Sequence, residues 1–354
     1  MSYFVIGFYA LLIGASCLAA FYKQRAAFLL LFSLTLASFI MGIVGGQSAL
    51  WFVTGAAAAI AFSAGVAFAW REFLVIILPT RVSKEVATAP LTASFGMFVI
   101  FTYAIMGIFA PVIAPFGETE VIAGAFDPAD ENMLLGADQL GRDMFSRIVY
   151  GARNSVGLAL IATILAFVMG AAAGLLAAIK GGWFDQFMGR FADVIMSVPS
   201  LIFALLMLSI FGTGMEVIVI VVAIIYSPRV YRLTRAVAGN VVVMDYIEAA
   251  KLRGEGTGYL IRREILPNST APLVAEFGLE FCFVFLLIAG LSFLGLGIQP
   301  PTADWGSMVR DNATLISFGD YTPLIPAAAI ALLTVAVNFV VDWMLFRSSG
   351  LKEV

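Results

Sequence analysis

Asp245-Tyr246-Ile247-Glu248-Ala249-Ala250-Lys251-Leu252-Arg253-Gly254, followed at a short distance by Leu266-Pro267-Asn268, is the polar stretch whose surroundings decide the fold. On either side lie apolar runs long enough to cross a bilayer, so these residues read as a short water-facing helix-turn-helix in a chain otherwise made for lipid. Asp245 is placed to cap a helix, with Glu248 completing a capping box, and Gly254 supplies the stop through glycine's access to positive φ. The spacing predicts a helix of roughly two turns. Ala249 and Ala250 are expected to offer a low-profile surface to a partner's groove, rimmed by Lys251 and Arg253. A second helix is expected from about Thr257 to Ile265, ended by Pro267, which has no N–H to continue it.

Composition explains why the rest of the chain belongs in a membrane. Of 354 residues, 62% are apolar and 12% charged, and the mean hydropathy is +1.01. A water-solvated globule cannot hide that much apolar surface. Cys17 and Cys282 both sit inside apolar runs, which argues against a disulfide framework or a zinc site. Histidine is absent, so imidazole acid–base catalysis, metal ligation and pH sensing are excluded by inventory.

The apolar runs predict nine spans, near 3–22, 27–45, 49–69, 92–115, 155–179, 191–211, 215–236, 270–297 and 323–346. Only Gly45-Gly46-Gln47-Ser48 separates the second from the third, which leaves a re-entrant pair open there. Basic residues near span ends are retained on the cytoplasmic side. Lys23 and Arg25, then Arg71, Arg81 and Lys84, then Lys180 and Arg190, form successive groups. The densest set is Arg229, Arg232, Arg235, Lys251, Arg253, Arg262 and Arg263. Alternating the spans puts all of them, with Arg347 and Lys352, on one face, with the N-terminus outside and the C-terminus cytoplasmic. The acidic segment Glu118 to Asp143 and the loop Gln299 to Thr322 fall on the other. The chain start has no basic region before its first apolar run and no clear cleavage site, so it reads as a retained anchor.

An ion-coupled carrier places ionisable residues deep in its spans. Here these positions are nearly empty. Asp193 lies near Arg190 at an expected helix start, Glu276 and Glu280 share a helix face, and Asp342 precedes Arg347 near a span end. They read as interfacial or helix-helix contacts. Nor is there a nucleotide site: the lysines follow Tyr22, Ser83, Ile179, Ala250 and Leu351, never the glycine that a phosphate loop requires. Gly254-Glu255-Gly256-Thr257-Gly258 fails the dinucleotide pattern, since Tyr259 stands where its third glycine belongs. A membrane enzyme would need a convergent nucleophile, base or metal set, and none is present. Two readings remain: a transport subunit driven by an external motor, or a self-contained secondary carrier or channel.

Glu248-Ala249-Ala250, Gly254 and Leu266-Pro267 resemble the E-A-A-x-x-x-G-x(9)-I-x-L-P signature of permease subunits in bacterial binding-protein-dependent ABC importers. Leu135 to Arg147, with Gly136, Asp138, Gly141, Arg142, Asp143 and Ser146, followed by Tyr150-Gly151-Ala152-Arg153-Asn154-Ser155, is similar to the C-type permease of the dipeptide, oligopeptide and nickel branch. Ser197-Val198-Pro199, Leu291 to Gly297, Pro300, Pro301 and Trp305-Gly306 agree. The resemblance covers about residues 80 to 354. It implies an all-α, six-helix type I permease core over residues 91–354, with a coupling loop near 239–268. A cytoplasmic linker at 71–90 and three accessory spans in residues 1–70 would precede it.

The implied partners are a B-type permease sharing the path, two ATPase subunits gripping the loop around 245–256, an external solute-binding protein and the lipid bilayer, with no nucleic acid. ATP and magnesium would bind the ATPases, and this chain would carry no cofactor and no catalytic residue. Asp245, Glu248, Ala249, Ala250, Lys251, Arg253, Gly254, Leu266 and Pro267 would then transmit force. The external segment from Gly136 to Arg153 is expected either along the membrane surface near the docking protein or as a packed elbow. Glu264 departs from the signature's isoleucine, and Glu255 and Gly256 from its usual small pair, which changes the expected docking surface. With no cluster of carboxylates or thiolates for a metal, a peptide-like solute is favoured over nickel.

Overall fold

The computed structural model describes residues 59–60, 62–318 and 322–348. The expected spans at 3–22 and 27–45, most of that at 49–69, and Lys352 lie outside these residues. By internal contacts the chain divides into two compact units, Met1–Leu91 and Thr92–Val354. In the first, residues 62–77 are helical and lead to α1 (Thr80–Ala87), which begins after Pro79. Proline suits that place because its fixed φ starts a helix without needing a donor.

The second unit is built of helices, and the described residues hold only two isolated β-bridges, Val121 with Arg142 and Ala137 with Asp143. In order come α2 (Leu91–Ile108), α3 (Met144–Gly151), α4 (Gly157–Lys180), α5 (Gly182–Met196), α6 (Ser200–Phe211) and α7 (Met215–Val242). After them come α8 (Asp245–Leu252), α9 (Leu266–Phe293), α10 (Trp305–Asn312) and α11 (Leu324–Ser348). Among the described residues five helices are long and apolar enough to cross a membrane, and six spans result if the bent pair α5–α6 counts as one.

Three expected spans differ in extent. The one expected at 155–179 runs continuously from Met144 to Lys180, because Asp143 caps α3 by accepting from the Ser146 amide at 2.7 Å and a π-turn, Ala152–Val156, joins α3 to α4. The one expected at 191–211 is broken: α5 and α6 meet at 87°. Pro199 stands between them, and a residue preceding proline is pushed out of helical backbone. The one expected at 270–297 begins at Thr257 and runs to Phe293. Pro267 therefore does not end a helix, as its sequence context suggested; it sits in the first turn of α9. The π-turn Leu260–Ile265 before it breaks the regular i→i−4 ladder where proline's missing N–H and ring would otherwise interfere.

A close crossing joins α4 to α7. A Cβ on Gly170 would collide with the Ser227 carbonyl and lie 2.7 Å from Val230 Cβ, and one on Gly174 would lie 2.8 Å from both Thr234 Cβ and the Tyr231 carbonyl. Small residues four apart let two backbones approach, which is how helices associate where lipid removes the hydrophobic drive between them. Around this seam Ala159, Ala162, Ala166, Ile218, Val222, Phe285 and Leu291 form the buried core. Replacing Gly170 by Ala should lower the apparent melting temperature of the detergent-purified protein, since overpacking costs about 1–3 kcal/mol. Gly157→Ala, where a Cβ meets nothing within 4 Å, should leave melting unchanged or raise it.

Candidate functional site

The polar connection after α7 is organised by one buried face. Ile247 and Ala250 on α8 are fully buried and pack with Leu175, Ala238, Leu260 and Ile265. Ala250 thus faces inward, not toward a partner as its sequence context suggested, while Ala249 is exposed with Glu248, Lys251, Arg253 and Gly254. The capping box is not formed. Met244 is the N-cap and has no capping side chain, which makes Asp245 the first helical residue. The Ile247 amide donates to the Met244 carbonyl at 2.9 Å, so the helix starts one residue earlier than a capping Asp245 would require. Asp245 and Glu248 instead place two carboxylates in the first turn, where the amide end of the helix favours negative charge.

Gly254 ends α8 as its sequence context suggested. Its φ is +80°, its N–H donates to Lys251 O at 2.9 Å and the Glu255 N–H to Ala250 O at 3.2 Å, which is a Schellman stop. Leu266 and Pro267 are exposed at the start of α9. Around α8 the surface holds large apolar side chains: Val243 is 78% exposed, Met244 49%, Tyr246 43% and Leu252 84%. Sequence reasoning passed over Val243, Met244 and Leu252; an apolar residue in a polar loop, off the periodicity of the buried face, was the available signal.

The segment Gly136 to Arg153 is a packed elbow, not a helix lying on a surface. Asp138 is buried between two buried arginines: Arg142 Nη2 lies 2.7 Å from its Oδ2 and Arg147 Nε 3.3 Å. Arg147 also donates to the Glu118 carbonyl at 2.7 Å and the Pro301 carbonyl at 3.3 Å. Asp143 accepts from Ser146 Oγ at 2.6 Å, and Gly136 and Gly141 turn the loop at φ of +73° and +76°. Arg153 is exposed.

Across from this elbow, Ser155 Oγ donates to Asp304 Oδ1 at 2.8 Å, and the fully buried Trp305 donates from its indole N–H to the Ile148 carbonyl at 3.0 Å. Burial pushes the Asp304 carboxyl above the usual range, opposed by hydrogen bonds from Ser307, Ser155 and Ser292. Sequence reasoning named Trp305 only as part of a family motif and missed Ser155 and the Ile148 carbonyl as its anchors.

Charges within the spans pair across helices. Asp193 lies near the end of α5, not its start, and pairs with Arg232 of α7, not with Arg190. Asp185 pairs with Arg235. Arg229, expected among the loop basic residues, is at the middle of α7 with its Nε 3.4 Å from the buried Glu280 of α9. Its assignment to the loop failed because an isolated arginine near an apolar end carries no mark of a partner on another helix.

Residues 170–348 match the model of the family described as binding-protein-dependent transport system inner membrane component. The chain is similar to the dipeptide transport system permease protein DppC of Alkalihalophilus pseudofirmus, 34% identical over 252 residues, covering 71% of this chain and 83% of that one. It is also similar to the glutathione transport system permease protein GsiD of Pectobacterium atrosepticum, 33% identical over 280 residues, covering 77% of this chain and 88% of that one. Among solved structures, one of the inward facing MetNI methionine ABC transporter aligns with a TM-score of 0.48 at 15% identity, covering 58% of this chain and 97% of that one.

The elbow makes a direct test of stability. Asp138→Ala leaves Arg142 and Arg147 buried without their carboxylate, and breaking a buried pair from one side costs about 3–5 kcal/mol. The variant should melt well below the parent in detergent, whereas Arg153→Ala, at an exposed site, should melt with it.

Proposed function

The chain belongs to the family of binding-protein-dependent transport system inner membrane components, and from that premise we propose that it is one of two permeases lining the path of an ATP-driven importer for a peptide-like solute. It is a multi-pass inner-membrane transport subunit, and the relatives are permeases for dipeptides and glutathione. The peptide class for this chain rests on those relatives together with the lack of metal-ligating clusters in the sequence. The second permease, the two ATPase subunits that bind ATP and magnesium, and the external binding protein follow from the same premise. This subunit does no chemistry of its own.

The observation that carries the proposal is the surface around α8. A short helix is anchored by Ile247 and Ala250 to the ends of two spans, yet Val243, Met244 and Leu252 stand exposed beside it. Apolar side chains grouped at a polar connection mark a docking surface. An ATPase seated there would move α8, and the buried contacts would pass that movement to α4, α7 and α9. In this arrangement the loop faces the cytoplasm, the elbow at 136–153 faces outward, and the C-terminus is inside. The spans in residues 1–70 are accessory, the linker is 71–90, and the transport core is 91–354.

Leu252→Glu should leave the two permeases assembled but reduce co-purification of the ATPase and ATP-driven uptake in proteoliposomes at least tenfold, about 1.4 kcal/mol of docking free energy. Gly254→Val should act in the same direction, because a β-branched residue at positive φ costs about 1–2 kcal/mol. Undiminished coupling in both would remove the docking role. Deleting residues 1–70 should leave ATPase binding intact, as judged by co-purification. Gradient-driven accumulation by this chain reconstituted alone would favour a self-contained carrier instead.

A further inference from the structure

We propose that Arg229 is a carboxylate receptor in the translocation path, holding the terminal carboxylate of the solute as it passes; the inference rests on the peptide reading above. Arg229 lies at the middle of a spanning helix, and its side chain is 44% exposed while its partner Glu280 is 1% exposed. A charged group within a span faces a water-filled cavity or another protein segment, not lipid. Three contacts fix how the guanidinium is held. Its Nε edge is 3.4 Å from Glu280 Oε1, its plane lies over the Phe283 ring at 4.6 Å, and the Tyr226 ring is 5.8 Å away. The Tyr226 hydroxyl donates to the Phe283 carbonyl at 3.1 Å, which locks the two rings together.

The consequence is an open fork. Among the described residues the two terminal nitrogens of Arg229 have no hydrogen-bond partner. The Nε contact at 3.4 Å is an ion pair longer than a strong hydrogen bond, so Glu280 offsets the charge without using up the donors. A guanidinium whose Nε edge meets one carboxylate and whose two terminal nitrogens carry no partner can take a second carboxylate bidentately. The long pair also suits a path, where binding must be firm enough to accept the solute and weak enough to release it. Glu276, one turn from Glu280 on α9, lies within electrostatic reach of both charges.

The test uses the whole importer in proteoliposomes, with radiolabelled glycyl-leucine as probe and with Cys17→Ala and Cys282→Ala removing the background thiols. Arg229→Cys should lose uptake. Aminoethyl methanethiosulfonate, which adds an ammonium there, should restore it several-fold, and sulfonatoethyl methanethiosulfonate should not. Equal rescue by both reagents, or no modification in the assembled complex, would overturn the proposal and assign Arg229 to a contact with the second permease. If the cysteine variant fails to assemble, the pair Arg229→Lys and Arg229→Gln decides. Lysine, which keeps the charge but loses the bidentate fork, should retain part of the uptake, and glutamine should lower it further, about tenfold or more at equal complex abundance, the loss of one charged hydrogen-bond set. Undiminished uptake by the glutamine variant overturns this proposal alone, whereas an unsubstituted importer that does not accumulate glycyl-leucine overturns the peptide reading and this proposal with it.

Discussion

Two backbones in van der Waals contact, α4 against α7 at Gly170 and Gly174, set the position of everything else in the second unit. Lipid gives two apolar helices no reason to prefer each other over acyl chains, so their association depends on how closely the surfaces fit. The absent side chains let Ser227, Val230, Tyr231 and Thr234 fill the space. With that crossing in place, α4 and α7 end together, and Leu175 and Ala238 form the bed on which Ile247 and Ala250 rest. The same crossing leaves the far side of α7 to α9, where Arg229 meets Glu280.

The two polar ends of the unit are built on opposite principles. At the elbow, Asp138, Arg142 and Arg147 are buried and paired, and Asp143 is buried and accepts from Ser146. The loop before α10 is tied to them through Arg147, Ser155 and Trp305. Buried charges tolerate little displacement, because a lost partner leaves an uncompensated ion. At α8 the attachment is apolar and confined to one face, while the rest of the helix is exposed. A rigid end and a graspable end are what a subunit needs if force is applied at one and access changes at the other.

Much of this was legible in residue order. The apolar runs located the five spanning helices of the second unit and the bent pair α5–α6, since a bilayer demands a fixed length of uncharged helix whatever the neighbours are. Gly254 was legible as a stop because positive φ excludes most other residues. The break at Pro199 could have been read, as the residue before a proline resists helical backbone. The continuity through Pro267 could not, because it depends on a π-turn whose register is set by Leu260 and Ile265 packing under α8.

What the sequence determined by itself is therefore local or set by the solvent: a membrane chain, its spans, a helix stop, and a family signature at one polar connection. Which side of α8 turns inward, which carboxylate Arg229 meets and why Asp138 is buried were decided by the tertiary structure alone. Each depends on helices distant in sequence arriving at one place, and neither periodicity nor charge count along a single helix records where its neighbour's side chains will lie.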